Sequence, residues 1–114
     1  MSMQRDDSVY LKHIRDSIAK IQVYTKGVSK ASFLKDTLVQ DAVIRQIEII
    51  GEAAKRLSER IRAQHTDVPW QDISGMRNKL IHDYFGVDIE KVWLTVRDDI
   101  PILKREIARI LKRL

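Results

Sequence analysis

Arg77, Asn78, His82 and Tyr84 fall within eight consecutive residues, Arg77-Asn78-Lys79-Leu80-Ile81-His82-Asp83-Tyr84. A permanently charged guanidinium and an imidazole that titrates near neutrality form a kit for phosphate chemistry. Cleavage of RNA without a metal needs those two functions. The 2′-hydroxyl must lose its proton as it attacks the adjacent phosphorus, and charge building on the phosphorane must be stabilised. His82 can serve as the proton-transfer group and Arg77 as a bidentate phosphate ligand. Asn78 can orient the imidazole or a phosphate oxygen. Tyr84 offers a phenol for hydrogen bonding or for stacking on a base.

The spacing sets a structural condition. On an ideal helix Asn78 and His82, four apart, lie nearly one above the other. Arg77 and His82, five apart, diverge by about 140°. The two converge only where the helix ends or distorts, or where a second subunit completes the site. Gly75 and Gly86 bracket the segment and permit local irregularity. Taken by spacing alone, the same residues also fit a surface ion pair beside a half-buried histidine.

The elements that must position this segment are helical. Leu11, Ile14, Ile18 and Ile21 recur at three- and four-residue steps after a polar Asp6-Asp7-Ser8 start suited to capping. Gly27 is placed to end that helix within a break over residues 25–32. A long second helix is expected from Leu34 to Ala63, with Leu38, Ala42, Ile47, Ile50, Ala54, Leu57 and Ile61 as its apolar stripe. Gly51 lies inside it and fits a close helix–helix contact. Glu48 and Glu52 share a face there, either as solvated carboxylates or as partners for a cation such as Arg77.

His65 to Asp72 reads as a break containing Pro69. A short helix follows from Met76 to about Tyr84, closed by Gly86. Asp88 can cap the next helix, through Val92, Trp93 and Val96. Asp98 or Asp99 is expected to cap a last one with Pro101 in its first turn, a kinked continuous helix being the alternative. Leu103, Ile107, Ile110, Leu111 and Leu114 form its stripe. Trp70, Trp93 and Phe85 read as core anchors, and His13 and His65 as surface residues. The expected fold is all-α, an antiparallel bundle of four to five helices in a single domain spanning residues 1–114.

Composition narrows the functional classes. Apolar residues at 44% and charged residues at 32% describe a folded chain rather than a disordered one. The absence of cysteine removes thiolate zinc sites and cysteine nucleophiles. The histidines are far apart, with no His-x3-His pair on a helix, so no metal and no cofactor is expected. The polar start lacks a signal peptide's apolar core, and no apolar run approaches the ~18 residues of a membrane span. A cytoplasmic location is the expectation. The net charge of +5 favours a polyanionic partner, RNA or DNA first. Much of that excess lies in Lys104, Arg105, Arg109, Lys112 and Arg113, which a solvated helix face would equally explain.

The pattern R-x4-H-x-Y, present as Arg77, His82 and Tyr84, resembles the HepT-like branch of the HEPN superfamily. Other blocks match in order: Tyr10-Leu11-Lys12-His13-Ile14, Gln40-Asp41-Ala42-Val43, Ile49-Ile50-Gly51-Glu52-Ala53-Ala54, residues 69–78, Val92-Trp93 and Asp99-Ile100-Pro101. The short motif alone is weak, but the ordered set covers most of the chain.

The resemblance implies a homodimer in which Arg–His elements from two subunits border one cleft. It further implies metal-independent ribonuclease toxin activity, within a type VII-like toxin–antitoxin pair. The partner would be an MNT-type nucleotidyltransferase antitoxin that transfers AMP from ATP onto the motif tyrosine, here Tyr84. Added bulk and phosphate charge two residues from His82 would oppose RNA phosphate binding. Two other functions compete: a non-catalytic helical partner or nucleotide-binding subunit of a nucleotidyltransferase, and a plain nucleic-acid-binding module.

Overall fold

A computed structural model describes residues 3–75 and 87–114, the first four of these by backbone alone. Every regular element among the described residues is helical: α1 (Met3–Thr25), α2 (Lys30–Phe33), α3 (Thr37–Lys55) and α4 (Glu59–Gln64). Residues 70–75 are helical as well (α5). Then come α6 (Ile89–Leu94), a π-helical turn (Thr95–Asp99) and α7 (Ile100–Arg113). The chain is an all-α bundle.

α1 packs mainly against α3 and secondarily against α7. Asp7, near the start of α1, meets Ser58, just beyond the end of α3, so those two helices run antiparallel. Lys104, early in α7, reaches Gln22, late in α1, at 3.0 Å. Ile110, Leu111 and Arg113, at the end of α7, line one groove with Ser8 and Lys12 of the first half of α1, so this pair is antiparallel too. The stripe Leu11, Ile14, Ile18 and Ile21 is buried throughout, against Val43, Ile47, Ile50 and Ala54 of α3 and Leu103, Ile107 and Ile110 of α7.

Local chemistry sets the helix ends. Gly27 adopts φ +72, a left-handed conformation that terminates α1 as expected. The break after it holds more order than its composition suggests. Ser29 accepts from the Ser32 amide and starts α2, which buries Phe33 completely. Asp36 then caps α3 by accepting from the Val39 amide at 3.1 Å. Gln40 secures this corner, its Nε2 donating to the Phe33 carbonyl at 2.9 Å.

Four expectations are corrected. The helix expected from Leu34 to Ala63 is two helices, interrupted at residues 56–58, where Ser58 turns away to cap α4 through the Ile61 amide. The apolar stripe continues through Leu57 and Ile61 across that break, which is why periodicity alone runs the two together. Leu38 is 79% exposed rather than part of the stripe, and Leu114 is 51% exposed. Asp7 does not cap α1, which has already begun at Met3; it is buried and serves the α3–α4 junction instead.

The fourth correction concerns Pro101. Neither Asp98 nor Asp99 caps a new helix: Asp99 is αR with no capping side-chain bond, and Asp98 pairs with Arg97. The helix runs on from α6 to α7 through the π turn, in which the Ile100 amide donates to the Thr95 carbonyl five residues back. Proline has no amide hydrogen for the carbonyl four residues earlier, and its ring crowds that group. A widened turn immediately upstream relieves the mismatch without ending the helix.

Candidate active site

Arg77, Asn78, His82 and Tyr84, with Phe85, lie outside the described residues. Their frame is well defined on both sides. Upstream, Val68 and Trp70 are buried, and the Trp70 indole donates to the His65 carbonyl at 2.9 Å. The Val68 amide donates to the same carbonyl, so one acceptor gathers the whole 65–70 turn. Pro69 opens α5, where its missing amide hydrogen costs nothing, and the Ile73 amide donates back to its carbonyl. Ile73 packs on the core two residues before Gly75.

Downstream, Val87 packs on the same core and Asp88 caps α6, as expected, by accepting from the Lys91 amide at 3.2 Å. Glu90 pairs with Lys30 at 2.8 Å, joining α6 to α2. Trp93 stacks obliquely on buried Phe33 with ring centroids 5.3 Å apart. Trp70 and Trp93 are therefore the core anchors that the sequence suggests. They anchor the described chain on either side of the eight residues with chemistry.

Glu48 and Glu52 line a depression of about 360 Å³ between α1 and α3, together with Tyr10, His13, Arg45 and Arg56. Arg56 donates to Glu52 from Nε and Nη2, both at 3.2 Å. Hydrogen bonding to Tyr10, and then to Glu52, raises the Arg56 pKa above its ordinary value. Tyr10 and the exposed His13 meet edge to face at 6.3 Å. The carboxylate pair is thus not simply solvated: Glu52 holds Arg56, the residue that follows the last turn of its helix. The sequence places Tyr10 and His13 in one block without suggesting that they share this depression with Glu52. The i,i+3 spacing of Tyr10 and His13 is the signal that could have shown it.

A second acid cluster flanks α5. Asp72 and Asp99 border an apolar cleft of about 210 Å³ whose lining includes Ile47, Ile50, Pro69, Ile100 and Leu103. Burial, then Asp98 and Asp72, push the Asp99 carboxyl above the usual carboxylate range. Among the described residues, no group of His, Asp and Glu is arranged to hold a metal ion. No helix there is long and apolar enough to cross a membrane.

Comparison with known proteins identifies the lineage. The family model described as "Ribonuclease HepT-like" matches residues 14–110, a span that contains Arg77, Asn78, His82 and Tyr84. A Thermococcus cleftensis protein named "Probable ribonuclease HepT" is 42% identical over 110 residues, covering 96% of this chain and 100% of that protein. A Caldanaerobacter subterraneus protein named "Putative RNase TTE0752" is 42% identical over 104 residues, covering 91% of this chain and 93% of the relative. A Methanocaldococcus jannaschii protein named "Gamma-glutamylcyclotransferase and putative RNase MJ0434" is 46% identical over 112 residues. That match takes in 98% of this chain but 50% of the relative, so the chain spans about half of its length. No solved structure matches the chain. By the family model and by full-length relatives, the chain belongs to the HepT-like ribonuclease family.

Proposed function

We propose that this chain is a metal-independent endoribonuclease toxin that cuts RNA with Arg77 and His82 at a cleft bordered by two copies of the chain. Family membership across residues 14–110 carries the proposal, because the matched span includes an intact R-x4-H-x-Y element. The names of full-length relatives point to the same substrate class. The five-residue Arg–His spacing, unsuited to one face of one helix, favours a site completed by a second subunit.

The chemistry is transfer within the RNA chain. The 2′-oxygen bonds to phosphorus, the bond from phosphorus to the 5′-oxygen breaks, and the products are a 2′,3′-cyclic phosphate and a 5′-hydroxyl. One proton leaves the 2′-hydroxyl and one reaches the departing 5′-oxygen; His82 takes one of these two roles. Arg77 neutralises the charge on the non-bridging oxygens, and Asn78 orients the imidazole or the phosphate. Tyr84 is the control point: AMP transferred to its phenol by an MNT-type nucleotidyltransferase adds charge and bulk beside His82.

A defined single-stranded RNA incubated with the purified chain in EDTA tests the chemistry. Fragments ending in 2′,3′-cyclic phosphate are expected. Intact RNA, together with a stable complex with a nucleotidyltransferase, would instead establish the non-catalytic partner.

A further inference from the structure

We infer that the groove formed by α1, α4 and the end of α7 is a binding site for a nucleic-acid phosphate backbone, built on cations outside the Arg77–Tyr84 segment. The groove holds about 890 Å³, and its lining includes Lys12 and Arg15 of α1, Arg60 of α4 and Arg113 of α7. Ile110, Leu111 and Leu114 also line it, and no Asp or Glu side chain does so among the described residues. All four cations are exposed.

Other cations, among them Lys20, Lys26 and Lys35, also lack an ion pair with any described residue, so what marks the groove is that three helices gather cations into one concavity, whereas several cations elsewhere are neutralised. Lys30 is held by Glu90, Arg56 by Glu52, Arg97 by Asp98, and Arg109 by Asp67 and Glu106. Lys104 donates to Gln22. Lys12, Arg60 and Arg113 make no ion pair with any described residue, and Arg15 has only its exposed sequence neighbour Asp16, at 3.1 Å. Three helices therefore contribute unneutralised positive charge to one concavity. Such charge is a ready exchange partner for the counterions condensed on a polyanion. A second copy of the chain would set like charges against each other, which disfavours self-association through this face.

Among the described residues the lining contains no Tyr, Trp or Phe on which a base could stack. Phosphate contacts fix position without reading sequence, so the groove should accept DNA and RNA alike and show little sequence preference. That RNA is the natural occupant rests on the ribonuclease proposal; the phosphate chemistry does not.

Single-stranded DNA is the direct probe, since it lacks the 2′-hydroxyl and cannot be cleaved by the proposed route. Affinity for a labelled 20-nucleotide DNA is measured by fluorescence anisotropy from low to moderate salt. The combined variant Lys12→Gln, Arg60→Gln, Arg113→Gln should bind at least tenfold more weakly at low salt. Its plot of log affinity against log salt should be shallower by about 2, three contacts at roughly 0.7 each. The combined variant Lys30→Gln, Arg97→Gln, Lys104→Gln removes the same charge elsewhere and should keep close to the original slope. An unchanged slope in the groove variant, or an equal loss in the control variant, overturns the proposal. DNA binding that depends on the groove, with RNA left uncut, would sink the ribonuclease proposal alone. RNA cleavage with groove-independent binding would sink this one alone.

Discussion

The buried carboxylate of Asp7 accepts two hydrogen bonds from Ser58, fifty-one residues away: one from the backbone amide at 2.8 Å and one from Oγ at 2.7 Å. Ser58 Oγ in turn accepts from the Ile61 amide at 3.2 Å. One side chain of α1 thus secures both the end of α3 and the cap of α4. Asp7→Ala leaves a half-buried amide without its acceptor and should destabilise the fold by about 2–3 kcal/mol. Ser58→Ala removes the hydroxyl links but spares the amide, and should cost about 1–2 kcal/mol. The double variant should lose less than the sum, because both changes remove the same bond. Urea denaturation of the four proteins measures this; strict additivity would contradict it.

Gln46 presents the opposite case. It is buried in α3, and its Oε1 finds no hydrogen-bond partner among the described residues. A buried acceptor left unpaired costs about 1–3 kcal/mol. Gln46→Met keeps the length of the side chain and removes the acceptor, so it should raise stability by about 1 kcal/mol. A lower urea midpoint in that variant would show that the amide has a partner in solution.

Asp99 gives the pH dependence a sign. Its folded-state pKa is raised, chiefly by burial, so the folded chain holds this proton to higher pH than the unfolded chain does. Its contribution to stability therefore falls as pH rises from the ordinary carboxylate value through the raised one. At neutral pH the ionised group is a net cost. Asp99→Asn should raise the melting temperature at pH 7, and the gain should shrink as pH falls through the carboxylate range. A gain that stays constant down to strongly acidic pH would point to packing rather than ionisation.

Tyr84 supports a prediction that separates control from chemistry. Tyr84→Phe should retain RNA cleavage, within about a fewfold, because the phenol is not asked to move a proton. Coexpressed with an MNT-type nucleotidyltransferase, the original chain should gain AMP by intact mass and lose cleavage. The Tyr84→Phe chain should gain none and remain active. AMP increments persisting in Tyr84→Phe would place the modification on another residue.

Much of the architecture was readable from three- and four-residue apolar steps, because burial on a helix imposes that period. The stripe of α1, that of α7 as far as Leu111, the Gly27 stop and the Asp88 cap are where the spacing puts them. Periodicity did not reveal the break at residues 56–58, since Leu57 and Ile61 keep the stripe in phase while Ser58 turns the backbone. Nor could it show that Asp7 serves a distant junction; a cap is local, whereas this bond joins residues brought together only by the fold. At Pro101, sequence reasoning weighs a cap against a kinked continuous helix; the helix is continuous, and the π turn that carries it past the proline, with Val96, Ile100 and Leu103 buried, has no signal in the apolar spacing. The chemistry of Arg77, His82 and Tyr84 was visible as residue types, yet the groove cations were not, because Lys12, Arg60 and Arg113 come from three separated helices.

The central claim is that His82 moves a proton during cleavage that needs no metal. The most direct measurement is the single-turnover rate on one labelled RNA in EDTA, for the original chain and for His82→Ala at matched folded concentration. The account predicts cleavage by the original chain and a loss of at least about 10²-fold in the variant, the lower end of what general acid–base catalysis supplies. Equal rates for the two proteins would contradict it.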